Sequence, residues 1–252
     1  MRDADVFEGI VAVSRQAGLD GSNTLFAHSM CPDEINHDEG VITDLLIEHF
    51  GKIFPFGGLA GIPFAGKTGF KAFASHVPEN GHIFLLFAPH CAVAEDGKVG
   101  CYHRDGQLEE TPACGAGIGA WNAVKDLEEE PEEEDDFDSQ FDHIKRLVWK
   151  HRQRIHESQN PIPEVTRVIY EHIVQYINKI VDPKFLAKHK ILLCGGIQIN
   201  VKHDDYFEPL FMRLLESDKT TDLLPDLLAF DKIVSPKPTS SSVKQNLETE
   251  RY

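Results

Sequence analysis

Residues 81–120 constrain the fold of this chain more than any other stretch, because they join a buried strand to a small-residue turn and a helix. Residues 83–88 form a continuous apolar run, which predicts a buried strand of a parallel sheet, and His90 follows its end. Open α/β sheets bind ligands at the carboxyl ends of such strands. Further on, Cys114 opens a run of small residues leading into a helix that ends near Lys125. N–H groups at a helix N-terminus stabilise a thiolate. His90, at the end of the strand, and Cys114, at the start of the helix, are therefore candidate metal ligands.

A second unit of strand, turn and helix delivers another cysteine. Residues 23–30 predict a short strand with Cys31 at its carboxyl end, and the apolar spacing over 41–50 predicts the helix that follows. A parallel sheet would bring Cys31, His90 and Cys114 together at one edge. Two thiolates and one imidazole suit tetrahedral zinc with an open position for water, whose pKa zinc lowers to about 7. From spacing alone, three unrelated buried residues would give the same pattern.

The remaining periodicity predicts one α/β domain over residues 1–234. Helices are predicted over 6–18, from residue 70, over 141–158 and from residue 163, and a further buried strand over 190–201. Within this domain we expect an acidic linker near 128–138 and a helical insertion over 141–181. Residues 235–252 have the polar composition of a flexible tail.

Charge and cysteine content exclude several classes of protein. The net charge of -16 argues against nucleic acid or an anionic membrane as a partner, although the acidic run near 128–138 accounts for over half of it. Five cysteines, an odd number, indicate a reducing compartment rather than a disulfide framework. We expect no membrane span, and the first 18 residues show neither a secretory signal nor a transit peptide.

Residues 61–68 match the P-loop pattern GxxxxGK[ST], which makes nucleotide hydrolysis an alternative function. A phosphate-binding loop follows directly on a buried strand, whereas the residues before this match are rich in glycine, proline and phenylalanine. A P-loop enzyme also needs a magnesium-binding Asp after a strand, where this chain has Pro89 and His90. The context therefore disfavours nucleotide hydrolysis.

Four motifs in the same order resemble the limiting-carbon-dioxide-inducible B (LCIB) family of algae, related to the β-carbonic anhydrases and also called the θ class. They are CPDEIN at 31–36, GGLAGIPFAGKTGF at 57–70, FAPH at 87–90 and ACGA at 113–116. The resemblance implies a β-carbonic-anhydrase-like, mostly parallel sheet flanked by helices, a homodimer, and zinc held by Cys31, His90 and Cys114. It implies reversible hydration of carbon dioxide to bicarbonate in an algal chloroplast, in the stroma or at the pyrenoid periphery. The P-loop match then becomes a family loop without a nucleotide role.

The resemblance also assigns a role to Asp33, two residues after the first ligand. Asp33 would accept a hydrogen bond from zinc-bound hydroxide and orient it toward carbon dioxide. In β-carbonic anhydrases an Arg two positions later holds this Asp, but here that position is Ile35. We expect Arg104 to be the partner instead, with His37 as the alternative. Because the adjacent Arg is missing, a catalytically silent bicarbonate-binding or assembly subunit is the alternative function.

Two further sets of residues are candidates by position and chemistry. The apolar loop over residues 51–69 would suit a dry pocket for carbon dioxide, and its candidate lining residues are Phe56, Leu59 and Phe64. The candidate proton relays are His103, His76 and His28.

Overall fold

The computed structural model describes residues 1–51, 53–132, 137–182 and 184–234 of the chain. As the sequence predicts, helices cover both faces of a mostly parallel sheet. The predicted tail over 235–252 and residues 133–136 of the predicted acidic linker lie outside the described residues. Within the described part, no helix combines the length and the hydropathy that a bilayer span needs.

The strands form one large sheet and one small one. They are β1 (Thr24–Ser29), β2 (Ile53–Pro55), β3 (His82–Phe87), β4 (His90–Val93), β5 (Cys101–Tyr102), β6 (Thr111–Pro112), β7 (Ile191–Val201), β8 (Tyr206–Leu215) and β9 (Thr220–Asp222). The large sheet has the order β2-β1-β3-β7-β8-β9, with β4 also paired to β7, and β5 pairs with β6 separately. Pairing is parallel from β2 to β7 and for β4, and antiparallel from β7 to β9.

The helices divide between the two faces of the large sheet. They are α1 (Asp3–Gln16), α2 (Ile42–Phe50), α3 (Gly66–Ala74), α4 (Gly115–Val124), α5 (Ser139–Lys150), α6 (Arg152–Glu157), α7 (Pro161–Ile180) and α8 (Leu224–Val234). One apolar core joins the sheet to α1, α2 and α8, and the other joins it to α3, α4, α5, α6 and α7. The helices predicted as an insertion over 141–181 thus contribute to a main core.

Side chains that alternate along β3 explain why both faces are covered. Leu85 belongs to the core beneath α7, whereas its neighbours Phe84 and Leu86 belong to the core beneath α1 and α2. Fully burying one such side chain stabilises the fold by about 1.5–3 kcal/mol. A strand that is apolar on both sides therefore requires helices on both sides.

Several predicted boundaries differ in the structure. The helix predicted over 141–158 is two helices, which meet at His151. There Arg152 donates to the Trp149 carbonyl oxygen at 3.2 Å and stacks on the Trp149 ring, so its side chain satisfies a carbonyl group at the break. The helix predicted from residue 163 begins at Pro161, because proline is tolerated in a first turn, and the helix predicted from residue 70 begins at Gly66.

The long strand β7 pairs with two strands along one edge. β3 pairs with its first half and β4 with its second half, and the register with β8 shifts between Gly195 and Gly196. Both positions need glycine, since a Cβ on Gly195 would lie 2.1 Å from the Phe87 ring and one on Gly196 2.2 Å from the Glu208 carbonyl oxygen. The chain leaves β3 and rejoins the sheet at His90, the first residue of β4.

The loop between β2 and α3 contains the P-loop-like match and packs against the ends of β1 and β3. Gly61 has a φ of 79°, and a Cβ there would lie 2.4 Å from the Ala88 carbonyl oxygen. The Ser29 hydroxyl donates to the Gly61 carbonyl oxygen at 2.8 Å. Lys67 and Thr68 are exposed on α3. The first glycine of the match therefore serves close backbone packing.

Asp3 links three elements through a buried carboxyl group. Its Oδ2 accepts hydrogen bonds from the Ile42 backbone N–H and from Gln198 Nε2, both at 2.8 Å. Its Oδ1 is buried with no hydrogen-bond partner among the described residues. Burial raises the pKa of Asp3 to about 6, although the two hydrogen bonds lower it. The start of α1 is thereby tied to α2 and β7 by a group that binds its proton more tightly in the folded chain.

We expect Asp3 to make the free energy of unfolding fall as the pH rises above about 4. A raised folded pKa stabilises the native state fully below the unfolded pKa of about 3.8, and this contribution is lost as the pH rises through about 6. Asp3→Asn removes the titration. Urea unfolding at about pH 4 and about pH 7 should show the wild-type advantage over Asp3→Asn shrinking by roughly 1–3 kcal/mol.

Asp218→Asn, which changes an exposed carboxylate in the turn between β8 and β9, is the matched control for net charge. A difference between wild type and Asp3→Asn that stays constant over this pH range would contradict the raised pKa.

Candidate metal centre

The three side chains predicted as metal ligands lie together in the structure. Cys31 follows β1, His90 opens β4, and Cys114 is the N-cap residue of α4. Their donor atoms all lie within 4.8 Å of one another, and the two sulfur atoms are 3.9 Å apart. All three residues are buried. Among the described residues, this is the one group of three or more His, Cys, Asp or Glu side chains found close enough to hold a metal ion.

The surroundings of His90 fit a metal ligand. Its Nδ1 lies 2.9 Å from Oδ1 of Asn200, whereas its Nε2 is buried with no hydrogen-bond partner in the described chain. The closest carboxylate oxygen, Oδ2 of Asp33, lies 3.6 Å from Nε2, which is too far for a hydrogen bond. An unpartnered buried nitrogen costs about 1–3 kcal/mol. A metal ion would satisfy this nitrogen, and with two sulfur atoms it completes a site that keeps one position open.

The two thiols hold their protons with different strength. The hydrogen bond between the two sulfur atoms lowers the pKa of Cys31 to about 4. The same hydrogen bond, together with burial, raises the pKa of Cys114 well above its usual range. The N–H groups of Ala116 and Gly117 at the start of α4 lower the pKa of Cys114, but they do not outweigh these effects. A metal ion would bind the thiolate of Cys31 directly and would displace the proton of Cys114.

Asp33 and Arg104 form an ion pair beside the ligand cluster. Arg104 Nη2 donates to Asp33 Oδ1 at 2.7 Å, and the other carboxylate oxygen approaches His90. The same guanidinium donates to Glu34 and to the Thr111 hydroxyl. The cation missing from the position two residues after Asp33 is thus supplied from the segment between β5 and β6.

The pKa of Asp33 is set by opposing effects. Burial raises it, whereas His90 and Arg104 lower it, and the net shift is upward. Arg104 is therefore one of the groups that favour the ionised carboxylate. His37, the alternative partner, has its ring against that of His28, with 5.5 Å between the ring centroids.

A small apolar cavity lies beside His90 and Cys114. Its walls include Ala60, Ile118 and Ile169, and its volume is about 10 Å³. A cavity needs about 10–15 Å³ to admit one water molecule. The space beside the ligands is therefore narrow, with room for about one water molecule.

A second, polar cavity lies on the side of Arg104 that faces solvent. Arg104 and Glu34 line it together with His103, Lys202 and His203, and its volume is about 380 Å³. The ion pair of Asp33 and Arg104 thus lies between a polar opening and the buried ligand cluster.

The residues predicted to line a substrate pocket, Phe56, Leu59 and Phe64, are not at the small cavity. Phe56 is buried in the core, and Phe64 packs against His143 of α5 with 5.5 Å between ring centroids. The Leu59 N–H donates to a side chain of α5 as well. The large apolar side chains of this loop thus pack in the core and against helices. Ala60 is the residue of the loop that lines the cavity.

The three histidines predicted as proton relays occupy different environments. His103 lines the polar cavity. His28 is buried, and burial lowers its pKa to about 4, so that it stays neutral at physiological pH. His76 lies against Phe54, with 6.3 Å between ring centroids. Of the three, His103 is the one that shares a cavity with Arg104.

Sequence reasoning missed two residues that contact the predicted site residues. Thr111 accepts a hydrogen bond from Arg104, and Asn200 contacts His90. Nothing in the sequence around Thr111 indicates its role. For Asn200 there is a weak indication, because an amide at the end of a buried strand needs buried hydrogen-bond partners.

Comparisons with known proteins point to one family. The family model described as limiting CO2-inducible proteins B/C beta carbonic anhydrases matches residues 1–216. The crystal structure of PtLCIB4, a homolog of the limiting CO2-inducible protein LCIB, is 27% identical, with a TM-score of 0.81 over 88% of this chain and 94% of that chain. The PtLCIB4 H88A mutant is 26% identical, with a TM-score of 0.82 over 89% and 94% of the two chains.

The crystal structure of LCIB, at 23% identity, shares the fold, with a TM-score of 0.69 over 88% of this chain and 92% of that chain. No curated protein sequence gave a significant match.

We expect the purified protein to bind about one equivalent of a divalent metal per chain, because three donors with one open position form a single site. Cys114→Ser should abolish this binding, because it replaces a thiolate donor by a hydroxyl group. The measurement is metal content by mass spectrometry after dialysis, followed by titration against a chromophoric chelator.

Cys194→Ala is the matched control, since Cys194 is a buried thiol of β7 that belongs to the core on the α1 side of the sheet. Equal metal content in Cys114→Ser and wild type would overturn the ligand assignment.

Proposed function

Because this chain belongs to the family of limiting CO2-inducible proteins B/C beta carbonic anhydrases, we propose that it is a zinc-dependent carbonic anhydrase, which hydrates carbon dioxide reversibly to bicarbonate and a proton. One observation carries the proposal. Cys31, His90 and Cys114 converge from distant parts of the chain, and Asp33 with its Arg104 partner lies against them. Three metal ligands with no polar side chain beside them would not support this reaction.

Zinc is the metal that suits these donors, since it accepts thiolate and neutral imidazole together in a tetrahedral site. When bound, zinc supplies a hydroxide nucleophile near neutral pH, because it lowers the pKa of its water to about 7. The chain contributes a buried and largely apolar setting, in which charge interactions are stronger than in water.

Asp33 has the position to orient the nucleophile. Its Oδ2 lies 3.6 Å from His90 Nε2, so that a carboxylate oxygen reaches the space beside the ligands. A carboxylate can accept the hydrogen of a hydroxide and so direct the oxygen lone pair toward carbon dioxide. Asp33 would accept this hydrogen only when ionised, and the Arg104 guanidinium both favours the ionised form and fixes the direction of the carboxylate.

The polar cavity beside Arg104 offers the products a route to solvent. Bicarbonate is an anion, and Arg104 and Lys202 line this cavity together with three carboxylates, those of Glu34, Asp38 and Asp105. His103 lies on the same wall and can carry a proton between the site and solvent. Carbon dioxide is apolar, and the small cavity beside Cys114 offers it an apolar wall.

We also propose a homodimer and a chloroplast location, both of which rest on the family resemblance. Light scattering on the eluted peak of a sizing column tests the first, and a fluorescent fusion expressed in an algal cell tests the second.

A catalytically silent bicarbonate-binding or assembly subunit is the second candidate function. The observation that favours it is the volume of about 10 Å³ beside His90 and Cys114. That space holds about one water molecule, and carbon dioxide is larger. The ligands and the Asp33 ion pair would be present in either case, so that access to the site separates the two functions.

We expect stopped-flow measurements to show hydration of carbon dioxide well above the buffer rate. Arg104→Ala should lower that rate on the order of 10- to 100-fold, as the loss of a group supporting a metal site commonly does. Since Arg104 lowers the pKa of Asp33, the remaining activity of the variant should need a higher pH than that of wild type.

Arg154→Ala is the matched control, because Arg154 also bridges two carboxylates, Glu164 and Glu171, at the exposed surface of α6 and α7. A zinc-loaded wild type with no rate above buffer would favour the silent subunit. A wild type that binds no metal and shows no activity would contradict both candidate functions, because both depend on the metal site.

A further inference from the structure

We propose that Asn200 is a positioning residue, which fixes the tautomer of His90 and ties this ligand to the turn carrying Asp33. The inference rests on the proposed metal-dependent function and adds a residue to it. Asn200 is fully buried near the end of β7, and its amide lies between His90 and two other segments of the chain.

The orientation of the Asn200 amide is set by two acceptors. Its Nδ2 lies 3.3 Å from the Ile35 carbonyl oxygen and 3.4 Å from Asp205 Oδ1. Asp205 Oδ1 also receives the Val201 backbone N–H at 3.0 Å, so that it acts as an acceptor there. A flipped amide would place its oxygen against both acceptors. The amide oxygen must therefore face His90.

The amide orientation determines where His90 carries its hydrogen. Since Oδ1 of Asn200 can only accept, the His90 Nδ1 at 2.9 Å must carry the hydrogen. A neutral imidazole then has its lone pair on Nε2, the buried nitrogen without a hydrogen-bond partner. This is the nitrogen that a metal ion needs, and partners of this kind hold metal-binding imidazoles in place.

The same amide connects the ligand to the turn that carries Asp33. Ile35, whose carbonyl oxygen accepts from Asn200, lies in the short 3-10 helix Glu34–Asn36 directly after Asp33. β4 and β7 pair in parallel with Ala92 opposite Asn200, so that the backbone already holds the two strands side by side. Asn200 therefore links His90, β7 and the turn after Asp33 through one side chain.

The alternative is that Asn200 only satisfies buried polar groups and stabilises the fold. Gln198 provides the comparison, because it is a fully buried amide two residues earlier on β7 and donates to Asp3 instead of contacting His90. A purely structural role predicts that Asn200→Ala and Gln198→Ala lower stability and zinc affinity in parallel. A positioning role predicts that the two effects separate.

The test measures zinc affinity by competition with a chromophoric chelator, and stability by thermal unfolding, in wild type and three variants. We expect Asn200→Ala to weaken zinc binding about 10- to 100-fold. Gln198→Ala should lose stability and keep its zinc affinity. Asn200→Asp still accepts the His90 hydrogen but loses both donations, so it should keep most of its zinc affinity while it becomes less stable. Wild-type zinc affinity in a folded Asn200→Ala would overturn the proposal.

A second measurement covers the case in which Asn200→Ala does not fold. The nitrogen NMR shifts of the His90 ring in wild type report which nitrogen carries the hydrogen, and we expect Nδ1 at neutral pH. A hydrogen on Nε2 with none on Nδ1 would overturn the assignment. If wild type binds no zinc, the proposed function fails, and the ring nitrogen shifts still decide whether Asn200 fixes the tautomer.

Discussion

Backbone pairing along β7 holds both the sheet and the candidate metal centre in place. This strand bonds to β3 in its first half and to β4 in its second half, and the Gln198 N–H donates to the Pro89 carbonyl oxygen at 3.0 Å, where the chain passes between the two. β7 therefore stays paired before and after the break between β3 and β4. His90 is the first residue after this break. A slip of one residue in the β4 pairing would turn Asn200 away from His90.

Buried polar groups concentrate at this end of the sheet. Asp3, His90, Gln198 and Asn200 are all nearly or fully buried, and each makes at least one hydrogen bond with another segment. Burying such groups costs free energy unless they are paired, so that they specify one arrangement of the segments around them. Apolar burial stabilises the rest of the sheet, where register matters less to chemistry. The centre is thus built where geometry is specified most tightly.

The sequence predicts elements whose periodicity is uninterrupted and misses those whose pattern is broken. The apolar run before His90 predicts a buried strand because a strand covered on both faces has no polar side. β8 is missed because Pro209 argues against a strand, yet in the structure it pairs opposite Gly196 where the register shifts. The ion pair of Asp33 and Arg104 is expected only because the family resemblance implies a cation beside this carboxylate, which the adjacent position does not supply. The position of Phe56 depends instead on tertiary packing, which a loop sequence does not encode locally.

Access to the ligands depends on helix packing more than on the ligands themselves. Ile118 of α4 and Ile169 of α7 wall the small cavity, and both helices are packed into the same core. Protein interiors are close-packed, so that widening the cavity requires either a side-chain rotation or a shift of a helix. A rotation leaves the positions of Cys114 and His90 unchanged, whereas a shift of α4 would move Cys114, its N-cap residue. Under the proposed function, admission of carbon dioxide without loss of the candidate metal site therefore requires side-chain motion in the cavity wall.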